Sequence, residues 1–279
     1  MLIKIGYDIA LSLPFPTAII YLLRVHPERE ADLTGDELFR IEPEAPITHY
    51  YDAFGNHCGR VSAPAGTIRF LNEAVIRDGG LPDAYAPDAV QHDVRDLPVE
   101  TLRFLLPSRY CEVDSELLDF AWQEFANTPP GWARVQAVVD FVHKHLRFDY
   151  LQARSTRTAL DAFREKVGVC RDFTHLSITL CRCLNIPARY VTGYLGDIGV
   201  PPAPDPMDFS AWFEVFLGGR WYSFDARHNR PRIGRIVIGR GRDAADVPIT
   251  MVFGRHQLEK FTVITEEVKE PSEVQPVTA

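Results

Sequence analysis

The sequence predicts an α+β protein with a β-rich N-terminal domain over residues 1–110 and a core domain over 111–265, ending in a disordered acidic tail over 266–279. Three observations predict this. Segments rich in β-branched and aromatic residues fill the first 110 positions between turn signals. Three stretches of helical periodicity follow. A Gly-Gly pair between two alternating segments then marks a hairpin.

The strand-like segments are Met1–Ile9, Ala18–Val25, Ile47–Asp52, His57–Val61 and Thr67–Val75, with a turn at 51–56 and a Gly/Pro/Asp-rich connection at 78–87. Leu117, Leu118, Phe120, Ala121 and Phe125 recur at helical spacing, and Thr128-Pro129-Pro130-Gly131 stops them. Trp132, Val135, Val138, Val139 and Val142 suit one buried face of a second helix. His143 and His145 near its end do not share a face and read as cations at a helix C-terminus. A third helix starts near Cys170, carries Phe173, Leu176, Leu180 and Leu184 on one stripe, and ends at Asn185-Ile186-Pro187. Ala188–Tyr194 reads as a strand, 195–208 as a loop, and Phe209–Leu217 and Arg220–Asp225 as the hairpin. After Val263 the chain carries four acids, one lysine, two prolines and no aromatic residue, a composition that favours disorder.

With 279 residues, 46% of them hydrophobic and 24% charged, the chain can bury a sizeable core. Its net charge of −8 argues against nucleic-acid partners. The most apolar early stretch, residues 9–25, is interrupted by Pro14 and Pro16, so no membrane partner is expected. Lys4 is the one early base and no small-residue cleavage site follows, which with five cysteines points to a reducing, cytoplasmic setting. His57 and Cys58 lack spaced partners, and no Asp-rich calcium loop is present, so neither metal nor cofactor is expected.

Chemistry concentrates in Gly168-Val169-Cys170-Arg171-Asp172-Phe173. The glycine lets the chain turn into the helix, and Cys170 falls at or near its first residue, where free N–H groups and the helix dipole favour a thiolate. Arg171 adds positive charge. A small buried cysteine is the competing reading, as expected for Cys181 and Cys183. Nucleophilic use needs a base and a group to orient it. With Gly218 and Gly219 as loop residues, facing hairpin positions sum to 437, so 210 and 225 become diagonal neighbours on one face. Asp225 could orient a histidine at 210. The residue there is Ser210.

Residues 168–176 and 184–194, with Ala211-Trp212-Phe213-Glu214-Val215 and Trp221-Tyr222-Ser223-Phe224-Asp225, resemble the transglutaminase-like superfamily, and the first ~100 residues resemble the N-terminal region of its bacterial members. The resemblance implies a papain-like α+β core and a Cys-His-Asp triad. It also implies acyl transfer through a thioester, with hydrolysis of a peptide or protein amide when water is the acceptor. Cys170 matches the nucleophile and Asp225 the orienting acid. The family's histidine opens a His-Ala-Trp run, and here that run is Ser210-Ala211-Trp212. Serine has no group titrating near neutrality, so weak or absent activity is expected. His228 and His175 could replace the imidazole. In the inferred register His228 falls on the opposite face if the strand continues, or already lies in a loop, and its structural reading is a hydrogen bond within the Asp-Ala-Arg-His-Asn turn. His175 lies off the nucleophile's helical face. A peptide-binding or assembly protein on the same scaffold is the alternative.

Seven arginines crowd residues 220–242 against the single acid Asp225. Such a patch could receive an anion, but pairing with the chain's excess acids is favoured. Trp212 and Trp221 read as core or cleft wall.

Overall fold

The computed structural model describes residues 1–203 and 206–268. In chain order it contains β1 (Leu2–Leu13), β2 (Thr17–Tyr21), β3 (Arg40–Glu42), β4 (Ile47–Tyr51), β5 (His57–Ala63) and β6 (Gly66–Arg77). The helical part holds α1 (Leu117–Phe125), α2 (Trp132–His145), β7 (Arg147–Phe148), α3 (Ala159–Glu165), β8 (Val167–Gly168) and α4 (Cys170–Cys183). There follow β9 (Ala188–Leu195), β10 (Ser210–Leu217), β11 (Arg220–Phe224), β12 (Arg235–Gly241), β13 (Thr250–Val252) and β14 (Gln257–Glu267). The five expected N-terminal strands are all present, and the three expected helices start within a few residues of their sequence signals. The short strands β3, β7 and β8, the strand β12 and the helix α3 have no counterpart in the sequence reading. Helix α3 is capped by Thr158, whose hydroxyl accepts from the Asp161 N–H at 3.2 Å while the Asp161 carboxylate accepts from the Thr158 N–H.

Two antiparallel sheets, ordered β14-β1-β6-β3 and β13-β2-β5-β4, form the N-terminal half. Strand β1 lies between β14 and β6, and its alternate residues Ile3, Ile5, Tyr7, Ile9, Leu11 and Leu13 are all buried, the period-2 pattern of a strand with one face on the core. The third sheet, β11-β10-β9-β12, carries the site. Its inner strand β10 is buried at all eight positions. Ala211, Phe213, Val215 and Leu217 join the main core, whereas Trp212 packs with Val191 and Val237 in a separate small cluster. Helix α4 packs on β9 and β10 and is covered by α1, α2 and α3. Consequently every residue from Asp172 to Cys183 is buried, not only the stripe of Phe173, Leu176, Leu180 and Leu184.

The end of the chain departs from expectation. Strand β14 runs beside β1 from Ile3↔Glu267 to Ser12↔Gln257, and β13 pairs with β2. Residues 250–267 thus complete the N-terminal sheets, so position 265 does not divide the sheets. Glu266 and Glu267, placed in the acidic tail by composition, are strand residues, and the rest of that tail from 269 onward lies outside the described residues. The reason is physical. A polar, charged segment is what an exposed edge strand carries, because water solvates one face while β1 supplies the hydrogen bonds. No helix among the described residues is long and apolar enough to cross a membrane.

Candidate active site

Val169 is extended and caps α4, so Cys170 is its first helical residue. The helix start is fixed from beneath by Asp172. This buried carboxylate accepts the Val169 N–H at 2.9 Å and the Arg157 guanidinium at 3.1 Å. Gly168 serves a different purpose from the sharp turn read in the sequence: a Cβ there would stand 2.6 Å from the Cβ of Asp172. Its absence lets the capping carboxylate approach.

Burial pushes the Cys170 thiol up to about 11, opposed by the positive charge of Arg227 and by a hydrogen bond from the backbone of Ala211, while Asp208 and Asp225 act to raise it. This corrects the thiolate expectation drawn from the helix start. Desolvation outweighs the helix terminus when no cation is in direct contact. The cation acting most on the sulfur is Arg227 rather than Arg171. Arg227 is stacked 3.8 Å from the Phe148 ring centroid and 5.8 Å from that of Tyr150. Arg171 turns instead to the Ser155 and Arg154 carbonyls and to Asp172, its guanidinium 5.3 Å from the Tyr110 ring centroid.

The hairpin register is the one inferred. Leu217 faces Arg220 and Phe213 faces Phe224, and Gly218 and Gly219 both have positive φ, at 56° and 85°. Ser210 opens β10, is buried, and pairs with Gly193 of β9. The ladder with β11 stops at Phe224, one residue before Asp225. The buried Asp225 carboxylate accepts His228 Nδ1–H at 2.8 Å, the His228 backbone N–H at 3.1 Å and the Arg235 guanidinium at 3.2 Å. Burial alone would raise this carboxyl. The His228 hydrogen bond and the Arg235 charge override it and hold the group far below the usual carboxylate range. Ser210, Arg227 and His228 line one cleft with Tyr150 and Asp208, around a cavity of about 40 Å³.

The remaining histidines sort cleanly. His175 is fully buried, stacked 5.0 Å from Tyr110 and accepting the Ala244 N–H at 3.1 Å, and burial holds it well below its ordinary value. It supports the core. His143 Nδ1 bonds the Ala226 carbonyl at 2.9 Å, tying α2 to the turn after Asp225, and His145 Nε2 bonds the Phe163 carbonyl at 2.7 Å. They anchor neighbouring segments, which is more specific than the helix-end role expected. His57 does have a neighbour, His49, at 3.2 Å. No group of three or more metal-ligating side chains occurs among the described residues.

Within the arginine patch, Arg232 pairs with Asp197, Arg235 with Asp83 and Asp225, Arg240 with Glu28 and Glu214, and Arg242 with Asp246. Structural pairing accounts for these four. Trp212 is buried beneath the Arg235 guanidinium, 4.9 Å from its ring centroid. Sequence reasoning missed Arg235, Arg227, Asp208 and Tyr150 as site residues. Arg235 had only its membership of the patch as a signal, because its link to Asp225 depends on β12 joining the sheet through β9.

Cys170 is the one partly exposed cysteine of the five, the other four being buried. Iodoacetamide at neutral pH is expected to label Cys170 first, through access and in spite of its raised pKa. Peptide mapping by mass spectrometry checks this, and faster modification of Cys58 or Cys111 in the folded protein would contradict it.

A family model for the transglutaminase-like superfamily matches residues 121–226, which include Cys170, Ser210 and Asp225. An uncharacterized protein of Mycobacterium leprae is 32% identical over 169 residues, covering 58% of this chain and 59% of that one. Another uncharacterized protein, from Mycobacterium bovis, is 41% identical over 241 residues, covering 82% and 66%. The chain therefore spans about three fifths to two thirds of the length of these relatives. A solved structure from Cytophaga hutchinsonii, named a "Putative Cysteine Protease", is 30% identical with a TM-score of 0.82, covering 97% of this chain and 92% of its own. The likeness extends over the N-terminal sheets as well as the site. The chain belongs to the transglutaminase-like superfamily.

Proposed function

We propose that this protein is built for cysteine-dependent acyl transfer, most simply the hydrolysis of a peptide or protein amide. Cys170 is the nucleophile, Asp225 the orienting acid, and Ser210 stands where the family's imidazole would be. The observation that carries the reading is the surrounding of the sulfur. Cys170 heads α4, and the Ala211 backbone beside Ser210 and the charges of Arg227 and Asp225 act on its thiol. Attack by sulfur on an amide carbon forms a thioester and expels an amine, and water then releases the acid. The N–H groups at the head of α4 are available to the developing oxyanion. Turnover is weak, because a thiol raised to about 11 is mostly protonated at neutral pH and Ser210 cannot take its proton. The chemistry calls for no metal or cofactor. The setting that suits five free thiols is a reducing, cytoplasmic one.

The test is amine release from a panel of small amides and peptides by the whole chain and by Cys170→Ala. Loss of turnover in Cys170→Ala supports acyl transfer. Peptide binding that is indifferent to Cys170→Ala, with no turnover in either protein, supports a binding module on the same scaffold.

A further inference from the structure

His228 sits in the turn after β11, and the hydrogen bond expected within that turn is made to Asp225. Both acceptor oxygens of the carboxylate are engaged by this one residue, Oδ2 by the ring Nδ1–H at 2.8 Å and Oδ1 by the backbone N–H at 3.1 Å. Asp225 is kept ionised, so it can only accept, and Nδ1 must carry the proton. Nε2 is then the ring nitrogen left to exchange a proton. Among the described residues nothing hydrogen-bonds to it, and the ring lines the cleft that Ser210 and Arg227 line. An imidazole held through Nδ1 by a buried aspartate, in a residue that lines a cleft, has the orientation a cysteine nucleophile needs of its base.

We propose that His228, held by Asp225, is the general base for Cys170, serving from the loop after β11 in place of an imidazole at position 210. The proposal rests on the acyl-transfer reading and supplies the proton acceptor that Ser210 cannot be. Serine leaves space. The cavity of about 40 Å³ beside it exceeds the ~10–15 Å³ that one water needs. A water at Ser210 carries the Cys170 proton to Nε2 as sulfur bonds the acyl carbon. The imidazolium returns that proton to the amine as the C–N bond breaks. A second water then gives a proton to Nε2 while its oxygen attacks the thioester. The S–C bond breaks, and the sulfur recovers the proton. Both the charge on Nδ1 and the developing charge on the ring are met by Asp225. The other ionisable groups facing the ring across the cleft are Asp208, Tyr150, Arg227, Arg232 and Asp197.

The pH dependence of Cys170 alkylation by iodoacetamide tests this without any substrate. In the unaltered chain the rate should show an inflection at a pH below that of the thiol itself, set by the base. His228→Asn keeps an amide donor for Asp225 but removes the base. It should lose that inflection and react at least about tenfold more slowly at pH 7. An identical profile in His228→Asn overturns the proposal. A second measurement needs no substitution. Nitrogen-detected NMR should find the His228 ring in the Nδ1–H form, with a titration that moves once Cys170 is carboxamidomethylated. A titration blind to that modification, or the opposite tautomer, overturns it. Failure here is distinguishable from failure of the broader reading. Cys170-dependent turnover that survives His228→Asn with an unchanged pH profile removes His228 and leaves acyl transfer standing. Coupled alkylation with no turnover on any amide removes acyl transfer and leaves the pair.

Discussion

Ser210→His is expected to raise amide turnover by roughly 10²-fold or more, the scale associated with a restored general base. The geometry around position 210 is already in place. Ser210 opens β10, its neighbour Ala211 acts on the Cys170 thiol through its backbone, and the hairpin register carries β11 to Phe224, one residue before Asp225. An imidazole there would take the Cys170 proton directly rather than over a water. It would, however, compete with His228 for Asp225, whose two oxygens are both in use. The gain should therefore be larger when His228→Asn is added. Steady-state amine release measures it, with Cys170→Ala on the same background as control. A folded Ser210→His protein with its imidazole within reach of Cys170 and no Cys170-dependent turnover on a broad panel would end the acyl-transfer reading.

Asp225→Ala is expected to destabilise the fold by about 3–5 kcal/mol, the range for breaking a buried pair and leaving its partner charged. The partner is Arg235, which is itself buried and would retain only Asp83. His228 would lose both hydrogen bonds that hold its turn. Adding Arg235→Met should recover part of the loss, because the stranded charge is then gone. Urea denaturation measures both, read from midpoints at unchanged slope. The dependence on pH has a definite sign. The folded carboxyl is held below its unfolded value of about 3.9, so its contribution is fully present above that pH and declines as the pH falls further. The gap between the native chain and Asp225→Ala should shrink as the pH falls below about 4. A gap that stays undiminished at pH 2.5, or a cost below about 1 kcal/mol at pH 7, would show that the cluster around Asp225 does not hold the site together.

The N-terminal strands, a helix beginning near Cys170 and the hairpin register from Leu217↔Arg220 were legible in the sequence. Those features are local. Strand alternation, helical spacing and two glycines at positive φ are written within a few neighbouring residues, so they are legible before any tertiary contact is known. The order of the cysteine helix, strand and hairpin also carried the family. Tertiary structure alone decided the rest. Arg227 rather than Arg171 is the cation that acts most on the thiol, because the stacking of its guanidinium on Phe148 depends on β7 and the loop after β11 meeting. The thiol is raised rather than lowered because desolvation is a property of the packed site, not of a helix position. Strand β14 forms because β1, some 250 residues earlier, offers it an edge. His228 belongs to Asp225 because the β11 ladder ends at Phe224 and the chain turns, so strand alternation no longer governs which way its ring points. Partners and ionisation are set by what lies across space, and no reading of adjacent residues contains that information.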